Sequence, residues 1–298
     1  MKIRIGFGLG VRTEFNDDTF ADLVDTLETL HFDSLWLSER ITGSAPDPVV
    51  GMAFAAGRTS HLKFGTSVMV LPGRNPMLVA KELATLDRLS GGRLLPAFGL
   101  GAVDPREQQA FGVERSERAA WFDEALPLIR RLWTEESVDH DGPRFSLRDA
   151  RVRPFPKQSP PEVWLGGIAP SELRRVGRLA DGWLPSFITP QEAATGRIEV
   201  ERVASDHDRE IDPEHFGVLI PYATGALPEA LVAGLAARRP DTDPADLVAV
   251  GFTGLESRIA SYVEAGFSKF VAIPLSDPEG PITEHLAELA SVVLPLQN

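Results

Sequence analysis

The chain contains no cysteine. That absence excludes disulfides, thiolate nucleophiles and thiolate metal centres. No apolar run approaches the roughly 20 residues of a membrane span. No block of lysine and arginine occurs, and positive charge is in deficit, with 30 Lys and Arg against 43 Asp and Glu, a formal net charge of −13. Such a balance argues against nucleic acid and anionic membrane surfaces as partners. The start, Met1-Lys-Ile-Arg-Ile-Gly6, alternates like a strand and lacks a signal-peptide core, so the cytoplasm is the expected setting. G-x-S-x-G, H-E-x-x-H and P-loop motifs are missing. The six histidines (His31, His61, His140, His207, His215, His285) show no metal-ligand spacing, and no metal site is expected. What remains is ordinary globular material, 43% hydrophobic and 24% charged over 298 residues, enough for a large core in a single domain, 1–298.

Strand-like and helix-like patterns alternate from end to end. Ile3, Ile5, Phe7 and Leu9 suit a first strand; Phe20, Leu23, Val24, Leu27 and Leu30 follow helical spacing. Ser34–Leu37 is a short apolar strand, Pro48–Ser60 a helix, and Lys63–Leu71 a nearly continuous apolar strand of the kind covered on both faces. Further strands are expected at Arg93–Gly101, Glu162–Leu165, Gly182–Ser186, Phe216–Tyr222 and Lys269–Leu275. Residues 139–161, rich in proline, read as an excursion, and 223–257 as irregular with short helices. Eight β/α units in about 300 residues suggest a TIM (β/α)8 barrel with extra loop insertions; an open doubly wound sheet is the alternative. In a barrel the chemistry sits just after each strand. The segments to watch are Gly8–Glu14, Ser38–Arg40, Ser67–Arg74, Gly99–Asp104, Gly166–Ser171, Ser186–Thr189, Tyr222–Thr224 and Pro274–Asp277.

Gly6-x-Gly8-x-Gly10 is not a dinucleotide fingerprint, because the third glycine is misplaced; these glycines read as room-makers. Gly166-Gly167 ends a strand, and a helix starts at Pro170-Ser171. Glycines admit a ligand close to the backbone, and a helix start points free N–H groups at it, as a phosphate requires. A tight strand-to-helix turn with no ligand is the plainer account, and Gly251-Phe-Thr-Gly254 is a competing phosphate site. Glu39 and Arg40 form either a rim ion pair or, with Glu39 facing a central pocket, a proton donor or hydrogen-bonding group. Pro96 inside the fourth strand removes a ladder donor.

Three segments resemble the luciferase-like monooxygenase family, in its coenzyme F420-dependent oxidoreductase branch. They are Phe64–Pro72, continuing through Arg74-Asn-Pro76 and Ala80–Arg93 to Gly99-Leu-Gly101; Pro161–Trp183; and Ser257–Gly266. The resemblance implies a barrel with a deazaflavin, coenzyme F420, or alternatively FMN, lying across the strand ends. Its phosphate would meet Gly166, Gly167 and the amide of Ala169. A bulge with a non-proline cis peptide at Ser67-Val68 would support the ring, and Gly99 and Gly101 would let the side chain lie close. It implies hydride transfer between the coenzyme and a small organic substrate, with Glu39 as the candidate catalytic group and a homodimer as the common assembly. An FMN-dependent monooxygenase and a non-catalytic cofactor-binding barrel are the alternatives. Relatives acting on alcohols or sugar phosphates carry an acid-histidine pair after strand 2; here Ser38-Glu39-Arg40 stands, without histidine. Glucose-6-phosphate dehydrogenases of this branch also place an acid where this chain has Ala102. Both departures argue against that activity.

Overall fold

The computed structural model describes residues 1–9, 17–276 and 280–298; Gly10–Glu14 and Asp277, two of the expected rim stretches, lie outside them in whole or part. Eight parallel strands succeed one another around the molecule: β1 Arg4–Leu9, β2 Ser34–Leu37, β3 in two pieces (Lys63–Thr66 and Met69–Val70), β4 in two pieces (Leu94–Leu95 and Ala97–Gly99), β5 Trp164–Leu165, β6 Gly182–Trp183, β7 Gly217–Ala223 and β8 Lys269–Pro274. Helices α1 Asp17–Thr29, α2 Pro48–Arg58, α3 Pro76–Leu89, α4 Arg118–Thr134, α5 Pro170–Leu179, α6 Pro190–Ser205, α7 Glu229–Arg238, α8 Gly251–Glu264 and α9 Ile282–Val293 intervene.

Local chemistry fixes these boundaries. Asp47 and Asn75 accept from the amides of Val50 and Met77, with Pro48 and Pro76 in the first turns. Thr189 and Glu192 cap α6 reciprocally. Gly91 and Gly92, at φ 77° and 87°, end α3.

Strand pairing falls into two sheets rather than one continuous ladder. The lower pieces of β3 and β4 close a sheet containing β8, β1 and β2; their upper pieces pair with β5 and β6 in a second. Two isolated parallel bridges, Trp183–Phe216 and Ser186–Leu219, join β6 to β7. The break in β3 is the cis peptide Ser67–Val68. The break in β4 is Pro96, which has no N–H to donate but whose carbonyl accepts from the Trp164 amide at 2.9 Å. Its place at the junction of the two sheets explains why a proline is tolerated there. Short segments depart from the sequence reading in two places. Val138–Asp141 and Ser146–Ala150 form an antiparallel hairpin within the proline-rich excursion, and Ala249–Val250 adds a strand beside β7.

Alternation along the strands separates two cores. Trp36, Leu95, Ala97, Trp164, Leu184, Leu219 and Val271 fill the space enclosed by the strands. The larger core lies between strands and helices and includes Leu35, Leu37, Phe64, Phe98 and Phe270. Glycines make the inner core possible: a Cβ on Gly65 would run into the Trp36 ring, and one on Gly8 into Val271 and Ile273. At the N-terminal ends of the strands, buried Asp33 accepts from Lys63 (3.0 Å) and Lys269 (2.8 Å). Burial alone would raise the Asp33 carboxyl, but Lys269 and Lys63 outweigh it and hold it at about 2.

Candidate functional site

At the opposite, C-terminal ends of the strands lies a cavity of about 510 Å³. Its wall includes Glu39, Ser67, Val68, Gly99, Gly101, Gly166 and Gly167, seven of the eight residues expected at a site. Ala169 is the exception. Its amide, with that of Ile168, donates to Oε2 of Glu172 at 2.9 Å. Gly251–Gly254 also lies away from the cavity, in the first turn of α8.

The β3 bulge is gripped from β2. The Ser67 carbonyl accepts from Ser38 Oγ at 2.9 Å, the Val68 carbonyl from the Glu39 amide at 3.2 Å, and the Val70 amide donates to Glu39 Oε2 at 2.6 Å. The other Glu39 oxygen takes the Arg74 guanidinium. The Glu39 side chain is only 3% exposed. Burial pushes its carboxyl above the ordinary value, against the pull of the Val70 amide and Arg74. Glu39 therefore faces the cavity, but both its oxygens already hold donors within the protein. It serves geometry at the bulge as much as it presents a group to a ligand.

Opposite Val68, the glycines leave backbone bare. A Cβ on Gly99 would collide with the Val68 side chain, and Gly101 and Gly167 sit at φ 87° and 96°, where side chains are strained. The turn after β5 carries its own anion: the Glu172 carboxylate sits on the two free amides at the start of α5. The turn thus binds negative charge, the property a phosphate needs. Trp183 Nε1 donates to the Gly167 carbonyl at 2.9 Å and fixes the peptide from behind.

Several wall residues had no sequence signal or a weak one. Leu231, Gly234, Leu235 and Arg238 form one face of α7 and close one side of the cavity; short helices were expected in this stretch, but the i, i+3, i+4, i+7 face was not placed at the site. Arg175, in α5, joins the wall from within the Pro161–Trp183 segment without having been singled out. Among the described residues no cluster of His, Cys, Asp and Glu could hold a metal ion, and no helix is long and apolar enough to cross a membrane.

Strands in ring order, helices outside and a glycine-lined cavity at the strand C-termini define a TIM-barrel fold with its site at the usual end. A family model described as luciferase-like monooxygenase matches residues 6–266, and the chain belongs to that family; it is an oxidoreductase. Among curated relatives, an F420-dependent glucose-6-phosphate dehydrogenase of Kineococcus radiotolerans is 28% identical, covering 95% of each chain. Among solved structures, an F420-dependent secondary alcohol dehydrogenase in complex with an F420-acetone adduct superposes with a TM-score of 0.82 at 19% identity, over 100% of both chains. A monooxygenase from Streptomyces bottropensis does so with a TM-score of 0.81 at 21% identity, over 99% of both chains. At these identities the structural likeness speaks for the fold.

Proposed function

We propose that the protein transfers a hydride between coenzyme F420 and a small organic substrate held in the cavity. The observation that carries this reading is the cavity wall itself: the Ser67–Val68 bulge on one side, bare glycine backbone beside it, and a turn already holding a carboxylate. The residues present fit a flat ring with a phosphorylated side chain. Val68 would back the ring, Gly99 and Gly101 would pass the side chain, and Gly166 and Gly167 would flank the phosphate. The choice of deazaflavin rests on the relative that matches 95% of both chains and is named for that coenzyme. When bound, a deazaflavin supplies the carbon that gives or takes the hydride.

The chain's own residues then bind, orient and exclude water. Ser38 and Glu39 hold the bulge, Trp183 holds the Gly167 peptide, and Leu184, Leu219, Leu231 and Leu235 form the apolar walls. Glu39 acts as a positioning residue through Val70 and Arg74. Glucose 6-phosphate is disfavoured as substrate, since Arg40 stands where a histidine would and Ala102 where an acid would. FMN is the second reading, favoured by the family description and by the monooxygenase that shares the fold.

Fluorescence titration of apo-protein with coenzyme F420 and with FMN tests the proposal. Saturable binding of the deazaflavin is the expected outcome. FMN binding without deazaflavin binding would replace the leading reading by the second, and binding of neither would overturn both.

A further inference from the structure

Five charged side chains line the cavity: Glu39, Arg40, Glu172, Arg175 and Arg238. Three have partners. Glu39 is held by Val70 and Arg74, Glu172 by the amides of Ile168 and Ala169, and Arg175 donates to Asp123 at 2.6 Å. Neither Arg40 nor Arg238 makes a side-chain hydrogen bond or ion pair among the described residues. The carboxylates whose field reaches Arg40, Asp104 and Glu107, are themselves engaged. Asp104 pairs with Arg106 at 2.8 Å, and Glu107 accepts from the amides of Ile41 and Thr42, both at 3.0 Å.

Both arginines line the same cavity. Arg40 follows β2 directly. Arg238 ends α7 on the face that carries Leu231, Gly234 and Leu235 into the wall. Its neighbour Arg239 pins the helix end, donating to the Phe187 carbonyl, to Glu192 and to Thr242. Arg238 is left to lie over the Phe187 ring, 4.9 Å from its centroid, and Phe187 is itself part of the wall. Loss of solvent and the repulsion of Arg40 and Arg239 push the Arg238 guanidinium below its ordinary value, against the pull of the Glu172 carboxylate. Among the described residues, neither of these two cations on one cavity wall is hydrogen-bonded to or ion-paired with a carboxylate, in a chain of net charge −13. Guanidinium groups suit carboxylate and phosphate, which they grip through paired N–H donors. The remaining wall is largely aliphatic, with Leu184, Leu219, Leu231, Leu235 and Leu275.

We propose that Arg40 and Arg238 form an anion subsite for the substrate, which carries a carboxylate or phosphate at one end of an apolar body. This rests on the hydride-transfer reading above for its role, but not for its existence. The same chemistry could be met by the coenzyme's own acidic tail, and the experiment separates the two sources.

Calorimetric titration with hexanoate, and with 1-hexanol as the uncharged control, is carried out on the apo-protein and on protein loaded with coenzyme F420. Coenzyme affinity is read separately by fluorescence. Hexanoate is expected to bind the loaded protein saturably and more tightly than hexanol. In Arg40→Gln/Arg238→Gln that binding falls by roughly 10-fold or more, while coenzyme affinity changes by less than about 3-fold. Arg40→Lys/Arg238→Lys, which keeps the charge and guards against a folding defect, retains part of the hexanoate affinity. Equal hexanoate binding by wild type and the glutamine variant overturns the subsite, as does the absence of saturable hexanoate binding to wild type. Loss of coenzyme affinity with hexanoate binding unchanged assigns the arginines to the coenzyme's tail and also overturns it. If the coenzyme does not bind at all, the hydride-transfer reading fails, and the apo titration still decides the arginine pair.

Discussion

The two ends of the barrel use charge in opposite ways. At the N-terminal end, charges are paid back on the spot: Asp33 meets Lys63 and Lys269, and Arg93 donates to Thr59, Leu62 and Ala56. At the C-terminal end, two arginines line a cavity with no hydrogen-bond or ion-pair partner among the described residues, and glycines leave backbone open. The lesson is that unpaired polarity separates a site from a scaffold within one strand set. An ion cluster that satisfies itself stabilises the fold, whereas unmet donors at the other end await something else.

The sharpest way to break this contrast is at the closed end. Asp33→Asn should leave Lys269 buried without its counter-charge and cost about 3–5 kcal/mol in urea unfolding. Coenzyme affinity under native conditions should be unchanged; a parallel loss would mean that the two ends are coupled. A gentler version uses pH. The Asp33 carboxyl is depressed from 3.8 to about 2 in the folded state, so the unfolded chain binds the proton more readily. Its contribution of about 2 kcal/mol is present above pH 4 or so and is lost as pH falls through about 2. A wild-type stability profile in acid with no excess slope over Asp33→Asn would refute this.

At the open end, Gly167→Val places a Cβ within 2.6 Å of Glu172 at φ 96°. Coenzyme affinity should drop by roughly 10-fold in a fluorescence titration, with the far-ultraviolet circular dichroism of the fold retained. Unchanged affinity would remove the glycine pair from the site. The smallest effect is expected at Glu39→Gln, which keeps an acceptor for Val70 but loses the charge facing Arg74. Coenzyme binding should weaken by a few-fold, with kcat nearly constant. A proton donor would instead lose roughly 100-fold or more in kcat at unchanged affinity.

Much of this was legible in the sequence because it lies at strand ends. Short apolar runs marked the eight strands, and Gly166 and Gly167 stand where one of them stops; Ser67-Val68 and Gly99 lie inside their runs, and their place at the site came from the family resemblance. The hairpin at 138–150 escaped because its strands are mostly solvent-exposed, so no alternation of apolar residues marks them. The α7 wall escaped because only Leu231 and Leu235 are buried in it, and they face a cavity rather than the main core. Pairings such as Arg74 with Glu39, 35 positions apart, are products of the fold. Composition does not encode them.

Glu172 bears on how any affinity at the turn after β5 should be understood. The carboxylate on the Ile168 and Ala169 amides is a tethered competitor, present at high effective concentration and never diluted away. On the proposed reading, a phosphate arriving there would exchange with it, and a dissociation constant measured at this turn would report the difference between two anions.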